Sequence, residues 1–167
     1  MDLARFQALD VVLVCGLPGA GKSHFCRSRF QDSGRLRVNR KEIRRLLYEM
    51  LSFGRKWSEA DFNSSDEFLV KHVERKIIEH LLQNRKKVLI DNTSVSASSR
   101  KSYLGIAQGM RKSIGLIFLD VPAGICLEQN RRREDPVPEM VISNLAAALD
   151  PPRPEEGFQE LLVLKGG

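Results

Sequence analysis

The sequence predicts an α/β protein built on a parallel sheet covered by helices. Three observations predict it. Apolar strand-like runs alternate with helical patterns along the chain. The first run, Val11-Val12-Leu13-Val14-Cys15, is continuously apolar and rich in β-branched residues, as a strand buried on both faces requires. A glycine-rich turn follows that strand directly and leads into a helix. The 167 residues fit one domain, expected over 1–167, with enough chain for one substantial core. That domain is also compatible with being one part of a larger protein.

In chain order, a helix is expected from Lys22 to Phe30, then a short second strand, Leu36-Arg37-Val38-Asn39. Asn39 is a suitable N-cap for a helix through Met50, with Ile43, Leu46, Leu47 and Met50 on its inner face. A loop around Gly54, bordered by Phe53 and Trp57, leads to a long helix from residue 64 or 65 to 83. Phe68, Leu69, Val73, Ile77, Ile78, Leu81 and Leu82 give that helix an apolar stripe read as core. Lys87 to Asp91 is the third strand, 98–108 a helix, and Ile114 to Asp120 the fourth strand. Pro122 opens a helix to Arg131, and residues 131–136 are expected as an exposed loop. Pro138 starts a helix through Leu149, prolines at 151, 152 and 154 end it, and 158–164 is expected as a last edge strand.

Composition narrows the function classes. No apolar run approaches the ~20 residues that span a bilayer, and the first residues lack a signal-peptide pattern, so the expected location is cytoplasmic without a membrane partner. Cys15, Cys26 and Cys126 have no metal-ligand spacing and read as reduced thiols in or near a core. The net charge of +6 is unevenly spread: Arg27, Arg29, Arg35, Arg37, Arg40, Lys41, Arg44 and Arg45 crowd one stretch, and Arg131, Arg132 and Arg133 another. Such clusters suit a polyanion, either a nucleotide or a nucleic acid, although a solvated face would look alike.

The chemistry is carried by Gly16-Leu17-Pro18-Gly19-Ala20-Gly21-Lys22-Ser23, which matches G-x-x-x-x-G-K-[ST] at every fixed position, between a strand and a helix. Glycines allow successive N–H groups to turn toward one phosphate, and the helix N-terminus adds partial positive charge. Lys22 is expected on the β- and γ-phosphates of ATP and Ser23 on Mg²⁺. The fold class is therefore a P-loop NTPase three-layer sandwich. His24 is grouped with this cradle, with helix packing or solvent as the alternative. Asp91 ends the third strand where a carboxylate can bind Mg²⁺ or orient an acceptor, and is preferred to Asp120 because Asn92 and Thr93 follow it. The arginine triplet suits a short lid over the γ-phosphate, a role that fits a planar, permanently charged fork.

Four segments together resemble the polynucleotide 5′-kinases: Gly16 to Ser23, Val38 to Arg44, Ile90 to Thr93 with Arg100, and Cys126 to Arg133. Zeta-toxin-like and transfer-RNA kinases are neighbouring branches. The resemblance implies an adenylate-kinase-like strand order 2-3-1-4-5, ATP as donor, Mg²⁺, a 5′-hydroxyl acceptor on RNA or DNA, and a place in nucleic-acid repair. It implies a catalytic set of Lys22, Arg44, Asp91 and Arg133, with Arg131 also near the nucleotide. On the acceptor side it implies Lys41, Glu42, Arg44, Asp91, Asn92 and Thr93, with Arg44 gripping a 3′-phosphate or the transferring group. One departure stands out. The resemblance implies an aspartate as general base three residues before Arg44, where this chain has Lys41. Lysine, with a reference pKa of ~10.4, is a poor base unless desolvated. Glu42 or Asp91 could take over, or transfer could need no base. The remaining alternatives are a metabolite or nucleotide-sugar kinase and a nucleotide-binding module with weak transfer.

Overall fold

The computed structural model describes residues 3–166. Five parallel strands form one sheet in the order β2-β3-β1-β4-β5: β1 (Val11–Cys15), β2 (Leu36–Asn39), β3 (Val88–Asp91), β4 (Ile114–Asp120) and β5 (Glu160–Lys165). The fold class and the strand order 2-3-1-4-5 are as expected. β1 lies at the centre, hydrogen-bonded to β3 and β4, and all five of its residues are buried. Its odd positions Val11, Leu13 and Cys15 enter one core layer, with Val38, Ile43, Val70, Ile78, Tyr103 and Leu104. Val12 and Val14 enter the other, with Phe6, Leu17, Cys26, Phe30, Cys126 and Ile142. This alternation is what a strand covered on both faces produces.

The helices are α1 (Ala4–Gln7), α2 (Lys22–Phe30), α3 (Arg40–Leu51), α4 (Glu67–Gln83), α5 (Ala97–Gly109), α6 (Ala123–Arg131) and α7 (Glu139–Ala147). The first had no sequence expectation. It is a single turn, held because Phe6 is buried against Gly115, where an added Cβ would meet the ring carbon Cε1 at 2.9 Å. Arg35 caps it by donating to the carbonyls of Phe6 (2.5 Å) and Leu9 (2.8 Å). All three cysteines are buried and free, as expected, and burial pushes the Cys15 and Cys26 thiols up to about 12.

Two apolar faces differ from expectation. On α3, Ile43 and Leu47 join the core, but Leu46 and Met50 are exposed. On α4, Phe68, Leu69 and Ile77 are exposed, and the buried line is Val70, Glu74, Ile78 and Leu82. The reason is a carboxylate at the centre of the inward face. Glu74 is buried because it accepts from Arg40 (2.7 and 2.8 Å) and from the Tyr103 hydroxyl (2.9 Å). A satisfied acid can thus hold a core position that apolar periodicity alone assigns to a neighbouring residue. The α4 start also shifts: a 3₁₀ turn, Ser64–Asp66, precedes Glu67.

Strand register sets up the site. Asp91 is level with Val14 in β1 and with Asn39 in β2, so the carboxyl ends of three strands form one edge. The Asn39 side chain accepts from the Glu42 amide (2.9 Å) to cap α3 and donates to the Asp91 carbonyl (3.0 Å). The α3 cap and the end of β3 are thereby joined at that edge.

Candidate active site

The turn between β1 and α2 opens onto a groove at the carboxyl edge of the sheet. Gly19 has φ +89°, and a Cβ there would collide with the Cys126 carbonyl. Gly21 caps α2 from the left-handed region, φ +83°. Neither position suits a side chain, which leaves a turn lined by backbone rather than by side chains. Lys22 starts α2, and its Nζ donates to the Leu17 carbonyl at 2.8 Å, folding the ammonium back over the turn. Burial lowers the Lys22 pKa to about 8; Asp91 acts against that drop and Arg133 adds to it.

Asp91 is the hub of the floor. It is 1% exposed, and its Oδ2 accepts from the Ser23 hydroxyl (2.8 Å) and from Arg37 Nε (2.9 Å) and Nη2 (2.6 Å). Its Oδ1 is buried without a hydrogen-bond partner among the described residues. A buried, unpartnered carboxylate oxygen beside a serine hydroxyl suits a hard divalent cation that keeps waters and phosphate oxygens as its other ligands. Ser23 and Asp91 therefore fit Mg²⁺, and the turn above them fits a phosphate chain.

The groove also exposes Asn39, Lys41, Arg44, Glu59, Phe62, Asn92, Thr93 and Arg133. Arg44 is clamped by Glu67 (2.5 and 3.1 Å) and its guanidinium carbon lies 5.2 Å from the Phe62 ring centre. Asn92 donates to the Tyr103 hydroxyl (2.5 Å) and to Glu74 (3.3 Å), so the Arg40–Glu74–Tyr103 network stands directly behind it. Thr93 accepts from the Gly16 amide through its carbonyl (3.0 Å), fixing the end of β3 to the start of the turn. Lys22, Ser23, Lys41, Arg44, Asp91, Asn92, Thr93 and Arg133 thus converge on one groove.

Three expected site residues do not line this groove. Glu42 points to Arg37 (2.8 Å) and does not line the groove, because one helical step from Lys41 turns it by ~100°. Arg131 is outside the groove too, held by Glu139 in the first turn of α7 (2.6 and 3.1 Å). His24 borders a separate cleft on the other side of the turn, with Phe25, Gln129 and Lys165. The basic stretch is also less available than its charge implies. Arg35 is buried against α1, and Arg37, Arg40, Lys41 and Arg44 pair with Asp91, Glu74, Glu59 and Glu67.

Sequence reasoning missed Arg37, Glu59 and Glu74. Arg37 shares a face of β2 with Asn39, the residue level with Asp91 at the strand end, a signal that was readable. Glu59 lies in an irregular segment between α3 and α4 and carried none. Arg100, part of the family resemblance, is fully buried and bound to Glu156 (2.6 and 2.8 Å) and to the Ser94 and Val95 carbonyls. It braces the chain leaving β3 and does not enter the groove. Among the described residues no helix is long and apolar enough to cross a membrane.

A glycine-lined turn with Lys22 and Ser23, an acidic end of the adjacent strand, and the strand order 2-3-1-4-5 define the P-loop kinase fold. The chain belongs to the AAA domain family, whose match covers residues 11–152. It is 24% identical over 143 residues to the L-seryl-tRNA(Sec) kinase of Methanococcus maripaludis, covering 85% of this chain and 53% of that protein. It is 25% identical over 154 residues to the bifunctional polynucleotide phosphatase/kinase of Schizosaccharomyces pombe, covering 89% and 32%. The chain therefore spans about half of the first relative and a third of the second. Among solved structures, the Pnkp1/Rnl/Hen1 RNA repair complex matches with a TM-score of 0.67 at 22% identity, covering 83% of this chain and 43% of the matched chain.

Proposed function

We propose that the chain is an ATP-dependent kinase that transfers the γ-phosphate to the 5′-hydroxyl end of a polynucleotide. The observation that carries this reading is the Arg44–Phe62 pair on the wall of the groove that the P-loop opens onto. A 5′-terminal nucleotide offers a base and a 3′-phosphate side by side. A half-exposed aromatic ring next to a clamped arginine suits stacking of the first and pairing of the second. One of the two curated relatives supports it by name, a polynucleotide phosphatase/kinase; the other, a kinase of seryl-tRNA, supports only an acceptor carried on RNA.

In this reading the free backbone amides of the turn and of the start of α2 hold the triphosphate, Pro18 having no N–H and Gly16 donating to Thr93, and Lys22 leaves the Leu17 carbonyl for the β- and γ-phosphates. Ser23 and Asp91 would hold Mg²⁺, which, when bound, would neutralise charge on the donor phosphates. Arg133 faces the same groove and stabilises charge on the transferring group, and Arg44 orients the acceptor. The cleft beside His24 lies at the other end of the cradle and suits the nucleoside of ATP.

The test is transfer of label from γ-labelled ATP with Mg²⁺ to 5′-hydroxyl RNA, 5′-hydroxyl DNA, seryl-tRNA and a panel of sugars and nucleotide-sugars. The expected result is label at the 5′ end of an oligonucleotide. Label on a small polyol with none on the oligonucleotides, in protein shown to bind ATP, would replace the acceptor by a metabolite.

A further inference from the structure

Two carboxylates line the groove, and they are held in opposite ways. Asp91 is 1% exposed with one oxygen occupied by Ser23 and Arg37, which leaves it on the metal side of the groove. Glu59 enters from a 3₁₀ turn, Glu59–Asp61, between α3 and α4, and its side chain retains 12% of its exposure. It is fixed from two directions. Its carboxylate pairs with the Lys41 ammonium, which itself lies 5.5 Å from the centre of the buried Trp57 ring. Its backbone N–H donates to both carboxylate oxygens of Asp135, each at 3.2 Å. Asp135 belongs to the loop that carries Arg133, and the ends of that loop are closed by Asn130, which exchanges hydrogen bonds with Val137 (2.7 and 3.0 Å).

We propose that Glu59 accepts the proton of the acceptor hydroxyl, that Lys41 positions its carboxylate, and that Asp135 ties it to the Arg133 loop. The inference rests on the kinase reading. In the step, the acceptor O–H bond breaks and its proton passes to a Glu59 oxygen. The acceptor oxygen bonds to the γ-phosphorus, the bond to the β–γ bridging oxygen breaks with its electrons leaving on ADP, and Glu59 returns the proton to water. Lys41 is then neither a base nor a free anion site; it holds a carboxylate that arrives from a different segment. The charged groups that share the groove with Glu59 are Arg40, Lys41 and Arg44 from α3, Arg133 from the loop, and Lys22 and Asp91 across it; Asp135 meets its backbone.

The experiment compares wild type, Glu59→Gln, Glu59→Asp and Lys41→Met for ATP affinity, acceptor KM, kcat and the pH profile of kcat. Glu59→Gln is expected to bind ATP as the wild type does, change acceptor KM by less than about threefold, and lose about 10²–10⁴-fold in kcat. It should also lose the acidic limb of the profile, where falling pH protonates the carboxylate. Glu59→Asp should recover part of kcat and the limb. Lys41→Met should lower kcat while leaving ATP affinity and acceptor KM at the wild-type values, because the carboxylate loses the ammonium that positions it. A Glu59→Gln protein within about threefold of wild-type kcat, or with the acidic limb intact, overturns the proposal while leaving the kinase reading in place. A wild-type protein that binds ATP and phosphorylates no acceptor overturns both.

Discussion

The two sides of the groove are made of different material. The donor side is one contiguous turn, residues 16–23, whose working groups are backbone amides and two side chains at a helix start. The acceptor side is gathered from α3, the 59–61 turn, the end of β3 and the 132–138 loop, and is held together by ion pairs: Lys41 with Glu59, Arg44 with Glu67, Arg37 with Asp91. A backbone cradle is specified by where glycine is tolerated and survives change around it. An ion-paired wall depends on partners distant in sequence, and removing one leaves a charge exposed to a poorly solvating interior.

Four results would sharpen or break that contrast. The largest effect belongs to the donor side: Lys22→Ala should lower phosphate transfer by about 10³-fold or more with an unchanged circular dichroism spectrum. Retained turnover would remove the turn from the chemistry.

The next tests an ion pair behind the groove that depends on a partner equally distant in sequence. Glu156→Ala strands the fully buried Arg100 behind the end of β3 and should cost about 3 kcal/mol in urea unfolding. A loss below about 1 kcal/mol would mean that the Ser94 and Val95 carbonyls alone satisfy that cation.

Within the arginine triplet the two sides separate again. Arg133→Ala should reduce kcat by about 10²-fold, whereas Arg131→Ala, which only frees Glu139, should stay within about twofold. Equal losses would mean that the loop rearranges when nucleotide binds.

The smallest effect is one of pH. With the Lys22 pKa lowered to about 8 by burial, the empty site loses that ammonium as pH rises through this value. A triphosphate favours the protonated form, so its affinity should weaken by up to about tenfold per pH unit above 8 and stay level below it. Calorimetric titration at pH 7, 8 and 9 reads this directly.

The same contrast explains what could be read from the chain alone. The sheet and the cradle were legible because each rests on local signals, a continuous apolar run, a fixed glycine pattern and a strand-end acid, whereas the strand order followed from the family resemblance. The inward face of α4 was read in part: Val73, Ile78, Leu81 and Leu82 pack in or against the core, but Phe68, Leu69 and Ile77 do not, and Glu74, an acid satisfied by Arg40 and Tyr103, holds a core position that periodicity assigns to apolar residues. Glu42 and Arg131 were placed at the site by adjacency, while Arg37 and Glu139 draw them away. Glu59 had no local signal; only the fold brings its turn beside Lys41 and Asp135.

The most direct measurement is a crystal structure with a non-hydrolysable ATP analogue, Mg²⁺ and a 5′-hydroxyl oligonucleotide. The account predicts phosphates over residues 16–21, the metal between Ser23 and Asp91, and the 5′ oxygen between the γ-phosphate and the Glu59 carboxylate, with the first base on Phe62. An oligonucleotide seated outside this groove, or a 5′ oxygen turned away from the γ-phosphate, would contradict it.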